Sequence, residues 1–318
     1  MTEAAWSPPP APLSPDAQAA IRRKFGLPDA PFEVLPGGFE NDAYATGEFV
    51  VRVPRHPGAE LDALKEAMIY AALESAGLRT PRLVGVDTDR DALPCAYTVL
   101  TRVPGRTLNG VANEAPDPRP WREAGRELAR FHALAIAGLR PYLNRPDETP
   151  ANLRESQLAR ARRKLAGAAA EGALDSGLAR RVETRLEALA GSLDAPFEPG
   201  LIHDDIHGSN LVVDPDCRLV AIIDFGDAFI STREGEFSAC PLTALPALLA
   251  GYIEASGRRL EDGASERIAA LRVVRSLVDY PAASAPPEDR ARWRARLVEA
   301  LEVSPQRLAP APPRSPAA

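Results

Sequence analysis

The amino-acid sequence predicts an α+β protein with two lobes, a small antiparallel β-sheet lobe containing one helix and a larger, mainly helical lobe. Three observations support this prediction. The length of 318 residues exceeds the usual size of one hydrophobic core. Short β-rich runs separated by Gly- and Pro-containing turns fill the chain up to residue 100, whereas apolar residues at helical spacing dominate after residue 105. We place the lobe boundary at about residue 104, where Val103-Pro104-Gly105 interrupts the pattern.

The first lobe is predicted over residues 14–104. Ser14-Pro15-Asp16 is typical of a helix start, with a capping serine, a proline at the first helical position and an acid in the first turn. Gly26 predicts the end of that helix. The sheet and its helix follow, with strands expected over 32–35, 43–46, 49–53, 84–86 and 97–100 and the helix over 60–76.

The second lobe is predicted over residues 105–303. A strand over 219–223 is expected to carry Asp224. The helices are expected over 121–135, 155–171, 174–193, 243–254, 264–278 and 287–302. The terminal segments 1–13 and 304–318 are rich in Pro and Ala, so we predict a disordered N-terminus and a flexible tail.

Composition excludes several classes of function. The net charge of −6 argues against nonspecific nucleic-acid binding. No apolar run approaches the ~20 residues of a membrane-spanning helix, and the N-terminus lacks the pattern of a secretory signal. Cys95, Cys217 and Cys240 share no metal-ligand spacing, so we expect reduced thiols and a cytoplasmic protein.

Residues 201–227 contain the most informative motif. His203, Asp205 and Asn210 form the pattern H-x-D-x-x-x-x-N, and Asp224-Phe225-Gly226 follows a short apolar run. Phosphoryl transfer requires a hydroxyl aimed in line and neutralised phosphate charge, and this order and spacing are typical of kinases. We assign Asp205 as the residue that orients the hydroxyl. Asn210 and Asp224 supply the hard oxygen ligands that magnesium prefers.

The two histidines of this motif have open roles. His203 is expected to hold the loop rather than to act in catalysis. His207 lies two residues after Asp205, where it either reaches a phosphate oxygen or stabilises the loop. Zinc binding by His203 and His207 is disfavoured because Gly208 and Ser209 follow and no third ligand is present.

A nucleotide site is predicted in the first lobe. Gly37, Gly38 and Asn41 lie between two strands, where the backbone can approach phosphates. Arg52 occupies the position on the third strand where a kinase presents its phosphate-binding lysine, and an arginine binds phosphate or carboxylate bidentately. Glu66 is its predicted partner, with Glu60 as the alternative.

Apolar residues and a connecting segment complete this predicted site. Val50 and Val212 are candidate walls for a nucleotide base. The segment 100–103, including Leu100 and Arg102, is expected to connect the lobes and to offer backbone hydrogen bonds to the base.

These motifs together resemble the aminoglycoside phosphotransferase family, which includes antibiotic kinases and choline and sugar kinases. That family's loop reads H-G-D-x-H-x-x-N followed by I-D-[WF], and here residues 203–210 read HDDIHGSN and residues 223–225 read IDF. The resemblance covers about residues 30–280. It implies a protein kinase-like two-lobed fold, a nucleoside triphosphate donor (ATP or GTP) with Mg2+, Asp205 as the catalytic aspartate, and Asn210 and Asp224 as metal ligands. Asp204 in place of glycine and Arg52 in place of lysine depart from the family pattern.

The acceptor is predicted only as a class. Acidic residues outnumber arginines eight to two over residues 201–236, and acidic groups attract a cationic solute. An aminoglycoside is therefore favoured, with a macrolide, a sugar or a choline-like alcohol as alternatives. Candidate acceptor ligands are Asp204, Asp227, Glu234 and Glu236. We expect no nucleic-acid or membrane partner and a monomer or a homodimer.

Two other functions compete with a small-molecule kinase. A catalytically silent nucleotide-binding regulator is one, although Asp205, Asn210 and Asp224 are all retained. A protein kinase is the other. It is disfavoured because only about 16 residues separate Gly226 from the helix predicted at 243, which leaves little room for an activation segment.

Overall fold

The computed structural model describes residues 11–35, 40–110, 117–143, 145–257 and 263–308. Contacts between residues divide the chain into two compact units. Unit 1 comprises Met1–Pro120, Ala133–Pro146 and Gly208–Phe229, and unit 2 comprises Trp121–His132, Asp147–His207 and Ile230–Ala318. Each unit is thus built from three separate stretches of chain, and the lobe limits given above remain a prediction.

Unit 1 contains a five-stranded antiparallel sheet. Its strands are β1 (Glu33–Val34), β2 (Asn41–Thr46), β3 (Phe49–Pro54), β4 (Leu83–Asp87) and β5 (Tyr97–Thr101). They follow the order β1-β2-β3-β5-β4. Val50 of β3 pairs with Ala45 of β2 on one side and with Leu100 of β5 on the other.

Two helices, rather than one, pack on this sheet: α1 (Pro15–Phe25) and α2 (Pro57–Ser75). Ser14 caps α1 by accepting a hydrogen bond from the Ala17 N–H at 3.2 Å. Ile21 of α1 joins a buried cluster with Val51 of β3. Because side chains alternate along a strand, the next residue, Arg52, lies on the face that α2 covers.

A smaller sheet in unit 1 carries the second half of the predicted motif. It consists of β6 (Arg106–Thr107), β8 (Leu211–Val213) and β9 (Leu219–Ile222) in the order β6-β8-β9. The strands β8 and β9 form an antiparallel hairpin in which Leu211 pairs with Ile222. This pairing brings the residues that flank the two strands to the same end of the hairpin.

Unit 2 is mainly helical and is organised around one buried helix, α7 (Ala264–Val278), which contacts four other helices. A two-stranded sheet pairs β7 (Pro199–Ile202) with β10 (Phe229–Thr232). The remaining helices are α3 (Pro118–Phe131, in this unit from Trp121), α4 (Leu153–Ala170), α5 (Ser176–Leu189), α6 (Leu245–Ser256), α8 (Pro287–Glu302) and α9 (Pro305–Leu308).

Helices α3 and α6 approach each other through two glycines. A Cβ added at Gly251 would lie 1.9 Å from the backbone oxygen of Arg122, and one at Gly125 would lie 2.0 Å from the backbone oxygen of Leu248. Backbone atoms move less readily than side-chain ends, so the two helices must separate to admit a methyl group.

We therefore expect Gly251→Ala to destabilise the protein by about 1–3 kcal/mol, the usual range for overpacking. Gly167→Ala in α4 is the matched control, because a Cβ at Gly167 meets no atom within 4 Å. That change is expected to raise stability by about 0.5–1 kcal/mol through the better helix propensity of alanine. Urea unfolding measures the free energy of unfolding of both variants. Equal changes in the two would contradict a close contact between α3 and α6 at Gly251.

Most predicted elements are confirmed within one to four residues. Helices α1, α7 and α8 have the predicted bounds. The sequence reading missed the short strands β6, β7, β8 and β10, and it missed α9, which lies inside the segment predicted as a flexible tail and buries Leu308. None of the helices in the described part of the chain combines the length and apolar character needed to cross a membrane.

Candidate active site

Arg52 lies at the centre of a polar cluster inside unit 1, the Arg52 cluster, which comprises Arg52, Glu66, Tyr70 and Asp224. Arg52 Nη1 donates to Glu66 Oε1, and its Nη2 donates to Asp224 Oδ1 at 2.8 Å. The backbone N–H of Asp224 donates to the hydroxyl of Tyr70 at 3.2 Å. The predicted ion pair with Glu66 is confirmed, whereas the alternative partner, Glu60, accepts instead from Arg90 and from a backbone N–H.

Burial sets the ionisation of this cluster. Burial of the guanidinium disfavours its charge, but the carboxylates of Glu66 and Asp224 outweigh that effect and raise the pKa of Arg52 well above its usual value. Burial raises the pKa of Glu66, and the charge of Arg52 opposes this rise. A buried carboxyl group of this kind depends on its cation to stay ionised.

Within the described residues, no lysine of this chain lies on a strand. Lys24, Lys65 and Lys164 all lie on helices, in α1, α2 and α4. Arg52 is therefore the cationic side chain of β3, and its planar fork lets it contact Glu66 and Asp224 at the same time.

The two predicted metal ligands lie at one end of the β8–β9 hairpin in unit 1. The backbone oxygen of Asn210 accepts from the Ile223 N–H at 3.0 Å. Asp224 follows directly, with a left-handed backbone (φ 68°) and a side chain that is 48% exposed. Both side chains offer the hard oxygen atoms that Mg2+ prefers.

The surroundings also fit a magnesium ion. Magnesium in phosphoryl-transfer enzymes takes only one or two protein ligands and completes its shell with phosphate and water oxygens. The residues at the end of this hairpin match that requirement.

Asp205 lies in a second cluster, inside unit 2, which we call the Asp205 cluster: Asp204, Asp205, His207 and Arg275. Arg275 Nη2 donates to Asp205 Oδ1 at 2.7 Å, and His207 Nε2 lies 3.1 Å from Asp205 Oδ2. Both oxygens of the Asp205 carboxylate are thus held by side chains of the same unit.

These contacts determine the charge of Asp205. Burial alone would raise the pKa of the Asp205 carboxyl, but the hydrogen bond and charge of His207 and the charge of Arg275 hold it well below its usual range. Asp205 is therefore a carboxylate at neutral pH. A carboxylate with so low a pKa is a weak base, so its suitable task is to orient a hydroxyl and to accept its proton late in the reaction.

A buried network supports the loop behind Asp205. The backbone N–H of His203 donates to Glu236 Oε2 at 2.7 Å, and His132 Nε2 lies 3.1 Å from the same oxygen. His132 Nδ1 lies 2.9 Å from the hydroxyl of Tyr252. His203 is fully buried, and its Nδ1 accepts from the Asp205 N–H at 3.3 Å. Its position accords with the loop-holding role predicted for it.

The four candidate acceptor ligands differ in burial and in the groups that they contact. Glu236 is fully buried, and Glu234 is 6% exposed and lies 3.2 Å from Arg267. Because a buried, paired carboxylate is closed to a dissolved acceptor, the acceptor role predicted for Glu234 and Glu236 has no support from their positions. The Asp204 carboxylate lies 3.4 Å from Arg275, whereas Asp227 is exposed.

The other predicted nucleotide residues are placed by the sheets. Asn41 starts β2, and Val50 and Leu100 are paired neighbours on β3 and β5. Arg102 follows β5 and its N–H donates to the Glu48 oxygen at 2.7 Å, and Val212 lies on β8. Gly37 and Gly38 lie outside the described residues. All of these assignments stay predictions.

Sequence reasoning missed Arg275, Tyr70 and the His132–Tyr252 pair. Arg275 lies 70 positions after its partner Asp205 in the chain. In the sequence, Arg275 stands four residues before Asp279, a spacing that is typical of an exposed ion pair on a helix. The many apolar residues of α7, such as Ile268, Leu271 and Val274, indicate a buried helix and are the one sequence feature that could have drawn attention to Arg275.

Solved structures share this fold at low sequence identity. Aminoglycoside 2'-phosphotransferase-IIIa in its GDP complex has a TM-score of 0.69 and 19% identity, over 91% of this chain and 99% of that one. Macrolide 2'-phosphotransferase MphH from Brachybacterium faecium has a TM-score of 0.63 and 20% identity, over 89% and 98% of the two chains. The streptomycin–ATP complex of APH(2")-IIa has a TM-score of 0.61 and 15% identity, over 94% and 100%.

The family is identified independently of those structures. The family model described as "Phosphotransferase enzyme family" matches residues 31–271. This range includes β3 and α2, which carry Arg52, Glu66 and Tyr70, together with the whole 201–227 motif and residues 264–271 of α7. The chain therefore belongs to the phosphotransferase enzyme family and is a small-molecule phosphotransferase with a protein kinase-like fold.

Proposed function

We propose that this protein transfers the γ-phosphate of ATP or GTP to a hydroxyl group of a small, antibiotic-like molecule, with an aminoglycoside favoured. The observation that carries the proposal is the state of Asp205. It is ionised, both its oxygens are held by Arg275 and His207, and it stands five residues before Asn210 in the H-x-D-x-x-x-x-N pattern. A fixed carboxylate suits the task of aiming a hydroxyl.

The reaction assigns one task to each group. Asp205 accepts a hydrogen bond from the acceptor hydroxyl and takes its proton as the new oxygen–phosphorus bond forms and the bond to the leaving nucleoside diphosphate breaks. His207, at 3.1 Å from Asp205, helps to hold the carboxylate. Asn210 and Asp224 would hold Mg2+, which would supply positive charge to neutralise the donor phosphates. Arg52 binds donor phosphate while Glu66 fixes its guanidinium.

The nucleotide site includes the remaining predicted residues. Gly37, Gly38 and Asn41 would approach the donor phosphates through the backbone. Val50, Leu100 and Val212 would line the base, and the Arg102 segment would offer it backbone hydrogen bonds. Related structures contain GDP, ADP or ATP, which supports a nucleoside triphosphate donor without selecting the base.

The acceptor assignment rests on structures that share this fold and on one exposed acid. Kanamycin, gentamicin and streptomycin occur in complexes of proteins with this fold, and a macrolide phosphotransferase shares the fold too. Asp227 is an exposed acid of the motif region, where a cationic acceptor can approach it from solvent. A macrolide, a sugar and a choline-like alcohol are the alternatives, and a role in antibiotic resistance belongs to the same proposal.

The test is transfer of phosphate from ATP or GTP to a panel of aminoglycosides, macrolides, sugars and choline-like alcohols. Nucleoside diphosphate release should rise with one class, and that acceptor should gain the mass of one phosphate. Asp205→Ala is the negative control. Tight nucleotide binding without turnover on any acceptor would favour the silent regulator instead, and turnover that persists in Asp205→Ala would refute the role given to that residue.

We also propose a cytoplasmic location. Cys95, Cys217 and Cys240 form no disulfide, and Cys217 and Cys240 are buried, as expected for thiols in a reducing compartment.

A further inference from the structure

One guanidinium in unit 2 contacts three residues around the loop that contains Asp205. Arg275 Nη1 donates to the backbone oxygen of Asp204 and lies 3.4 Å from that residue's Oδ1. Nη2 donates to Asp205 Oδ1 at 2.7 Å, and Nε donates to Asp279 Oδ2 at 2.9 Å. Arg275 therefore contacts two consecutive residues of the loop and one residue at the end of its own helix.

Asp204 needs such a partner for two reasons. Its backbone φ is 65°, in the left-handed region that residues with a Cβ adopt at an energetic cost. Its carboxylate also adds a second negative charge near Arg275, at 3.4 Å from the guanidinium that holds Asp205 at 2.7 Å, and neighbouring like charges repel. The hydrogen bond to the Asp204 oxygen stabilises the left-handed turn, and the guanidinium charge offsets both carboxylates.

The helix that carries Arg275 is firmly anchored. Arg267 is fully buried and its Nη2 donates to the backbone oxygen of Ala195 at 3.1 Å. Arg272 Nη1 donates to the backbone oxygens of Phe237 and Cys240 at 3.1 and 2.6 Å. Because these arginines fix α7, and Asp279 fixes Nε, the fork of Arg275 is held in place before any substrate binds.

We propose that Arg275 is the positioning residue of the catalytic loop: it holds the strained turn at Asp204 and thereby fixes the carboxylate of Asp205. Asp204 and Arg275 form an energetically coupled pair. The arginine offsets the cost of having an aspartate at a position whose backbone conformation favours glycine. The activity part of this inference rests on the proposed function, whereas the coupling between the two residues does not.

A double-mutant cycle tests the pair. Arg275→Ala, Asp204→Gly and the double variant are compared with the wild type by thermal unfolding and by kinetics on the acceptor found active. Arg275→Ala is expected to lower Tm by roughly 2–4 °C and to lower kcat by up to about 100-fold with little change in the KM for nucleotide. In the Asp204→Gly background, Arg275→Ala should lower Tm and kcat by clearly smaller amounts, because glycine removes the backbone strain and the extra negative charge.

Two further variants separate positioning from folding. Arg275→Lys keeps a cation but loses the fork, so it should recover part of kcat. Arg294→Ala removes an exposed arginine that pairs with Asp175 at 2.6 Å in the same unit and should leave kcat unchanged. The inference is overturned if Arg275→Ala and Arg294→Ala affect kcat alike, or if Arg275→Ala lowers Tm equally in the wild-type and in the Asp204→Gly background.

The two proposals fail in different ways. A wild-type protein that transfers phosphate to no acceptor contradicts the proposed function. The double-mutant cycle measured by Tm still decides whether Asp204 and Arg275 are coupled. Active transfer combined with additive Tm and kcat effects leaves the proposed function intact and refutes the role of Arg275.

Discussion

Replacement of Asp205 by asparagine is expected to lower kcat by about 10²–10⁴-fold, the usual contribution of a positioned acid–base group. Asparagine has nearly the same shape, and its side-chain oxygen can still accept from Arg275, which holds Asp205 Oδ1 at 2.7 Å. The negative charge and the ability to take the hydroxyl proton are lost. The KM for nucleotide should change little, because Asp205 is assigned to the acceptor hydroxyl.

Steady-state kinetics on the active acceptor measure this effect, and direct titration of nucleotide binding provides the control. A kcat within tenfold of the wild type would contradict the role of Asp205. His207→Ala separates the two partners of the carboxylate: it removes the contact at Oδ2 while Arg275 remains, so its effect on kcat should be smaller than that of the Asp205 variant.

The low pKa of Asp205 also predicts how stability depends on pH. Against the effect of burial, His207 and Arg275 hold the pKa of its carboxyl well below the usual range. A group with a depressed folded-state pKa stabilises the fold above its unfolded pKa of about 3.9 and loses this contribution as the pH falls. Urea midpoints measured from about pH 6 downward should therefore fall less steeply for Asp205→Asn than for the wild type.

Replacement of Arg52 by alanine is expected to destabilise the protein by about 3–5 kcal/mol, as when a buried ion pair loses one partner. Glu66 is only 2% exposed, and the variant leaves its carboxylate without the cation that faces it. Arg52→Lys should cost less, because an ammonium can still bond to Glu66, although it cannot hold Glu66 and Asp224 with a planar fork.

The matched control for Arg52 is an exposed ion pair. Arg154→Ala breaks the pair with Asp194 at 2.6 Å, in which both side chains are about half exposed. Its expected cost is below about 1 kcal/mol. Chemical unfolding measures the free energy of unfolding of each variant. Equal decreases for Arg52→Ala and Arg154→Ala would show that the buried ion pair stabilises the protein no more than the exposed one.

The cost of Arg52→Ala should grow with pH. Burial already raises the pKa of Glu66 while Arg52 opposes the rise, so the loss of Arg52 raises it further. Below the unfolded pKa of about 4.3 the carboxyl is protonated in both states and the penalty is absent. As the pH rises, the unfolded chain ionises first and stability falls until the folded-state pKa is passed. A pH-independent difference from the wild type would contradict this explanation.

Local patterns predicted the elements whose physical cause is local. Ser14 and Gly26 bound α1 because a capping hydroxyl and a left-handed glycine act on their own turns. The Arg52–Glu66 ion pair was also predictable, since a strand followed by a helix leaves few acids within reach. The strands β6, β8 and β10 were not, because two to four residues form a strand only when a partner strand supplies their hydrogen bonds.

The sequence by itself determined the chemistry: an aspartate, an asparagine and a second aspartate at kinase spacing, with an arginine on the third strand. Only the tertiary structure decided which acids are available and what holds them. It buried Glu234 and Glu236, which composition alone had made candidate acceptor ligands, and it brought Arg275 to Asp204 and Asp205. Burial and contacts between residues some 70 positions apart arise from packing of the whole unit, and they leave no trace in the neighbouring residues of the chain.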